Sequence, residues 1–233
     1  MELISDNTRR PVVYSANFGE GEPVRPLLVK QTLKTVLFTD KQIDYLEGWD
    51  RIITVDSAEL AETPRKAARR LKLQSHRVFP FAPWSVWMDS THIPCVDLRC
   101  LGDFLKLSDI ACFAHPLRTT ARLEAVACKE LQLDDEDAIN AAIAYFDSTG
   151  FSDAYGLYGT ACVVRRHTRQ VVAMNELWWY ACNRWTHRDQ IVLPWVIWML
   201  NMTPACLVGK PRDHAAAKGT TTRPNPYFDV TVW

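Results

Sequence analysis

The chain has 233 residues, 48% of them hydrophobic and 23% charged, which suits one large domain or two small ones around a substantial core. Lysine plus arginine balances aspartate plus glutamate at 27 each, so net charge gives no pull toward nucleic acid or an anionic membrane. The longest apolar stretch, IVLPWVIWML at 191–200, falls short of the roughly 20 residues a bilayer-crossing helix needs. No apolar signal segment opens the chain, so a soluble, cytoplasmic protein is expected.

The first elements are β-rich runs: PVVYSANFG at 11–19, KTVLFTD at 34–40 and DRIITV at 50–55. Polar segments separate them, a rhythm that predicts βα units and a mainly parallel sheet. Residues 20–33 carry proline and glycine and read as loop. Residues 57–73 are Ala-rich with a basic second half and read as a helix. An extended entry follows, then the strand WSVWM, which ends at Asp89. DIACFAH at 109–115 is a further strand with His115 at its end. Residues 119–131 and 134–148 read as helices, the second opening with acids that suit a helix N-terminus. GTACVVRRH at 159–167 is a strand leaving Arg165, Arg166 and His167 at its end. A helix over 170–185, the link THRDQ and a second helix from Gln190 complete the series. Residues 1–203 form the expected domain. Residues 204–233, rich in Pro, Gly, Thr and basic residues, form an irregular tail expected on or near the active site.

The seven cysteines are Cys95, Cys100, Cys112, Cys128, Cys162, Cys182 and Cys206. Their odd number, the lack of CxxC and their apolar surroundings predict reduced core thiols of an intracellular protein.

Carboxylates, histidines and arginines recur at the carboxyl ends of predicted strands, the edge where open α/β sheets bind ligands. Asp89, followed by Ser90 and Thr91, leaves room for a hydrated Mg or Mn ion and a diphosphate; a plain turn cap is the competing reading. RKAARRLKL places Arg65, Arg69 and Lys72 on one helical face and Lys66 and Arg70 on another. Arginine suits phosphate, but a solvated helix face has the same pattern. THRDQ puts His187, Arg188, Asp189 and Gln190 between two Trp-rich helices, where pKa values shift; a helix cap is the alternative. Asn175, Glu176, Trp178 and Trp179 of NELWW either line a sugar-sized pocket or belong to the core. HPLR adds His115 and Arg118, with Glu124 on the next helix. The P-loop, GxSxG, HExxH and GxGxxG patterns are missing, which removes the commonest NTPase, hydrolase, zinc-protease and dinucleotide readings.

In order, YSANFG, LFTD, SVWMDSTH, FAHPLR…EAVAC, YGLYGTACVVRRH and NELWWYACNRWTHRDQ resemble a glycosyltransferase-like family that was long a domain of unknown function. Its plant members are linked to mucilage polysaccharide. The resemblance runs from about Val12 to Val196, and VVRRH…NELWW…HRDQ is its most specific part. It implies a GT-A-like α/β/α sandwich with a mixed, mostly parallel central sheet. It also implies transfer of a sugar from a nucleotide-diphosphate sugar to a glycan or other acceptor. Tyr14, Ala16, Phe18, Asp40, Arg65, Arg69, Asp89, Ser90 and Thr91 would then bind the donor. His115, Arg118, Arg166, Asn175, Trp178, Trp179 and Gln190 would face the acceptor and sugar. Asp189, His187 and Glu176 are the catalytic candidates. Asp89, Thr91 and, from the tail, His214 are the candidate ligands of Mn or Mg. Two departures stand out. Asp89-Ser90-Thr91 lacks the second acid of a DxD element, and Gly159 sits where the family pattern leads one to expect an acid. A catalytically weak carbohydrate-binding protein and a metal-assisted hydrolase are the alternatives.

Overall fold

The computed structural model describes residues 5–20, 23–56, 63–209 and 225–230. In chain order the elements are β1 (Val12–Asn17), β2 (Lys34–Thr39), β3 (Arg51–Thr54), α1 (Pro64–Leu73), α2 (Ser75–Val78), β4 (Trp84–Met88), β5 (His92–Pro94), β6 (Ile110–Ala114), α3 (Ala121–Glu130), α4 (Glu136–Ser148), β7 (Tyr158–Arg166), α5 (Arg169–Arg184), α6 (Asp189–Met199), β8 (Ala205–Leu207) and β9 (Phe228–Val230). A 3₁₀ helix covers Leu98–Lys106.

Seven strands form the main sheet in the order β3-β2-β1-β4-β7-β6-β8. β1 pairs in parallel with β2 and β4, β2 with β3, and β6 with β8. β7 runs antiparallel to both its neighbours, β4 and β6. The sheet is therefore mixed and mostly parallel, as expected. All six residues of β1 are buried, the near-continuous apolar pattern of a strand covered on both faces.

Alternation along the strands divides the core. One face sends Tyr14, Phe38, Trp87 and Val163 toward Leu71, Phe146, Trp178 and Val192 of the helices. The other sends Val13, Val86, Met88 and Phe113 toward Leu98, Leu101 and Leu105 of the 3₁₀ helix. The helical layers are thus unequal: α1 to α6 contribute to the first face, and the 3₁₀ helix and loops cover the second.

The helices start as their sequences direct. Thr63 caps α1 by accepting from the Lys66 N–H, and Pro64 follows at the first helical position, where a missing N–H costs nothing. Thr120, Asp135 and Thr168 cap α3, α4 and α5 in the same way.

The structure departs from the sequence reading in the tail and at three of the cysteines. The tail is not irregular throughout, since β8 extends the main sheet and β9 pairs with β5. The part of the first predicted helix at 57–62 lies outside the described residues. The cysteines are unpaired; Cys112, Cys128, Cys162 and Cys182 are buried, but Cys100 and Cys206 are exposed and Cys95 is intermediate. No helix among the described residues is long and apolar enough to cross a membrane.

Because β7 is reversed, its amino-terminal end meets the carboxyl ends of β1, β4 and β6. This places Thr160 at the edge where Asp89 and His115 emerge, and sends Arg166 to the opposite edge.

Candidate active site

A cleft of about 930 Å³ opens at that edge. The end of β1 with residues 18–19 after it, one face of α1, residues 89–91 after β4, residues 115–118 after β6, the start of β7 and the start of α6 line it. Its charged lining comprises Arg65, Arg69, Lys72, Arg118 and Arg188 against Asp89, Glu124 and Asp189. Cations outnumber carboxylates here although the whole chain is neutral.

Lys72 is the hub. It sits in the last turn of α1, and its side chain is 5% exposed. Its Nζ lies 2.7 Å from Asp189 Oδ2 and 3.6 Å from Asp89 Oδ1, and donates to Thr160 Oγ1 at 3.1 Å. Thr160 in turn donates to Asp189 Oδ2 at 3.0 Å. The ammonium also lies over the Trp87 ring, 5.9 Å from its centroid. On the other side of the carboxylate, Arg69 Nη2 is 3.6 Å from Asp189 Oδ1. Burial alone would raise the Asp189 pKa, but Arg69 and Lys72 outweigh it and hold the carboxyl well below its ordinary value. Arg69 shows the reciprocal effect: burial disfavours its charge, and Asp189 more than restores it.

A buried polar network beneath α1 fixes Lys72. Arg165, fully buried on β7, donates from Nη2 to the Lys72 carbonyl at 2.6 Å and to the Tyr14 hydroxyl at 2.8 Å. Its Nη1 donates to Asn175 Oδ1 at 3.0 Å. The Tyr14 hydroxyl lies 3.3 and 3.2 Å from the Leu71 and Lys72 carbonyls. A guanidinium at a helix C-terminus satisfies orphan carbonyls and complements the helix dipole.

Arg69 and Arg188, both on the cleft lining, have guanidinium nitrogens that no acceptor meets. Arg69 Nε and Nη1 and Arg188 Nε are buried and have no hydrogen-bond acceptor among the described residues. A buried charged donor without an acceptor costs on the order of 1–3 kcal/mol or more.

A second cluster forms the opposite wall. Glu124, 1% exposed, accepts from Arg118 Nε and lies 3.5 Å from His115 Nε2 and 3.8 Å from Arg188 Nη2. His115 Nδ1 accepts the Arg118 backbone N–H at 3.1 Å, which leaves the ring proton on Nε2, facing Glu124. Leu117, Leu131 and Leu133 continue this wall.

Of the residues read from the sequence, the cleft gathers Ala16, Phe18, Arg65, Arg69, Asp89, Ser90, Thr91, His115, Arg118, Asp189 and Gln190. Others lie elsewhere. Tyr14 is wholly buried in the Arg165 network. Asp40 supports the turn: its Oδ2 accepts the Gly19 N–H at 2.7 Å, where Gly19 has a φ of 76°. Arg166 donates to the Leu105 carbonyl and pairs with Asp109, away from the cleft. Asn175 is buried against Arg165, and Trp178 is a core residue whose indole N–H donates to the Asp189 carbonyl. Trp179 packs partly buried on the helical core beneath the Arg70 guanidinium. Glu176 is bound by His76 and Arg77 on α2, so it ties α5 to α2. His187 is exposed, and its backbone N–H donates to Asp134. His214 lies outside the described residues. Lys72, Glu124, Thr160 and Arg188 are among the cleft residues to which the sequence reading gave no role.

The expected metal ligands make a poor donor set for a divalent cation. Asp89 Oδ1 already accepts the Trp87 indole N–H at 2.7 Å and has the Lys72 ammonium beside it. The Thr91 hydroxyl is 3.0 Å from His92 Nδ1. No three His, Cys, Asp or Glu side chains among the described residues are grouped to hold a metal ion.

No curated protein matches the chain. A crystal structure of mouse xyloside xylosyltransferase 1, in its apo form, aligns with a TM-score of 0.41 at 8% identity, over 84% of this chain and 77% of that one. The family profile described as TOD1/MUCI70, glycosyltransferase-like domain, matches residues 5–209, and the chain belongs to that glycosyltransferase-like family.

Proposed function

We propose that the cleft binds a nucleotide-diphosphate sugar and transfers its sugar to a hydroxyl of a glycan or other acceptor. The observation that carries this reading is the cationic excess around Arg65, Arg69, Lys72 and Arg188, with guanidinium donors that lack an acceptor. A diphosphate matches these groups in charge, and guanidiniums suit phosphate oxygens. The N-terminus of α1, with Pro64 and Arg65 on the lining, adds a favourable field for phosphate.

In the reaction, an acceptor oxygen bonds to the anomeric carbon. The bond from that carbon to the diphosphate breaks, and its electron pair leaves on the nucleotide diphosphate. The acceptor proton passes to water or to the departing diphosphate. Negative charge grows on the leaving group, so fixed cations supply the main stabilisation. Asp189 contributes as an anion. Its lowered pKa makes it a weak base, and its charge suits it to steady positive charge on the sugar ring. The His115–Arg118–Glu124 wall with its leucines faces the acceptor side.

A protein that only bound carbohydrate would be expected to present the tryptophans of NELWW in its cleft, but Trp178 and Trp179 lie outside the lining, which holds Trp87. A thermal-shift panel of nucleoside diphosphates and free sugars separates the readings. The transferase reading expects stabilisation by one nucleoside diphosphate. A response to free sugars with none to any nucleotide sinks it.

A further inference from the structure

We infer that the Lys72 ammonium does the work of a divalent cation at the donor diphosphate, so that donor binding in this chain needs no metal. The inference rests on the donor-site reading above.

The geometry that points there is local. Asp89 directly follows β4 and Asp189 begins α6, and a cation placed between them would meet both the phosphates and the sugar. Lys72 Nζ occupies that place, 3.6 Å from one carboxylate and 2.7 Å from the other. The position two residues after Asp89 is Thr91, so the strand end offers one carboxylate where a cation held by a DxD element would have two. A second positive ion beside the ammonium would be repelled at close range, with little carboxylate charge left to hold it.

The lysine is also built in rather than incidental. An ammonium is rarely buried unless it is paired, because leaving water is costly. Here two carboxylates, a threonine hydroxyl and an indole face surround it. Its backbone carbonyl is held by Arg165, and Arg165 is itself fully buried. Two of the three ammonium N–H bonds are directed to Asp189 and Thr160. The Asp89 contact, at 3.6 Å, is too long for a good hydrogen bond, which leaves the third donor for a phosphate oxygen. No proton leaves Lys72 in this role; the ammonium neutralises charge as the anomeric C–O bond breaks.

A counter-ion for Asp189 would show the same salt bridge, so the test must separate the two. The full chain is titrated with UDP, GDP and ADP by calorimetry, once in EDTA and once in manganese chloride. Folding of Lys72→Ala is checked by circular dichroism. The expected result is that the wild type binds one of these diphosphates equally, within about twofold, in both buffers. Lys72→Ala loses at least tenfold in EDTA and recovers part of it in manganese, because removing the ammonium leaves two facing carboxylates that can take a metal. Binding by the wild type in manganese but not in EDTA overturns the inference and leaves the donor site standing. So does undiminished binding by Lys72→Ala in EDTA. The wild-type comparison stands even if the variant fails to fold. No binding of any diphosphate in either buffer removes the donor-site reading, and this inference with it.

Discussion

Lys72 Nζ lies 2.7 Å from Asp189 Oδ2, joining the last turn of α1 to the first turn of α6 across the floor of the cleft. The contact links residues more than a hundred positions apart and sets the charge of the cleft. With Arg69, it holds the pKa of the Asp189 carboxyl well below its ordinary value, and both cations lie on the lining of the cleft.

If that anion steadies charge on the sugar, Asp189→Asn should lower kcat by roughly two orders of magnitude. Diphosphate affinity should hold or rise, because Lys72 and Arg69 lose a competing acceptor. Steady-state kinetics with parallel calorimetry reads both. A loss of affinity with unchanged kcat would reverse the assignment.

The same carboxylate has a pH signature. Its folded pKa is depressed from an ordinary 3.8, so the stability it contributes is fully present above that value. It is lost as pH falls below about 4. Melting curves should show wild type above Asp189→Asn by a constant margin from pH 5 to 7, with the margin closing below pH 4. A margin that instead grows on acidification contradicts the sign.

Arg69→Ala should weaken nucleoside diphosphate binding about ten- to a hundredfold, the scale of a charge-assisted hydrogen bond of roughly 1.5–3 kcal/mol. Calorimetry at fixed salt measures this. Affinity within twofold of wild type would show that its free donors serve the fold alone.

Arg165→Met should destabilise the protein in denaturant unfolding by about 1–3 kcal/mol for each buried acceptor left unpaired, since Tyr14, Asn175 and the Lys72 carbonyl lose their shared donor. Glu176→Gln should behave differently. Its partners His76 and Arg77 lie on α2, partly solvent-exposed, so the cost should be about 1 kcal/mol or less, with turnover unchanged. A hundredfold fall in turnover for Glu176→Gln would return it to the catalytic group.

Much of this architecture is legible in the chain itself. Apolar runs that stop at Gly19, Asp40 and Asp89 mark strand ends, and those ends define the cleft edge. Asp89 and Asp189, distant in sequence, do meet there. The direction of β7 is not legible, because an apolar run reads the same in either direction; hence Arg166 was placed at the wrong edge and Thr160 was overlooked. NELWW illustrates a second limit. Helical spacing shows which residues share a face, but not whether that face meets solvent or another helix, and Trp178 turned to the core. Lys72 looked like one more basic residue of an amphipathic helix. The available signal was its position between Leu71 and Leu73, both fully buried, on the same face as Arg69.

The most direct measurement is a crystal structure of the protein soaked with the nucleoside diphosphate that stabilises it most. The account places the diphosphate in the cleft between α1 and the end of β4, with phosphate oxygens within hydrogen-bond distance of Arg69 and Lys72 and with Asp189 beyond them on the sugar side. A diphosphate bound elsewhere, or a cleft that stays free of it at saturating concentration, would contradict the account.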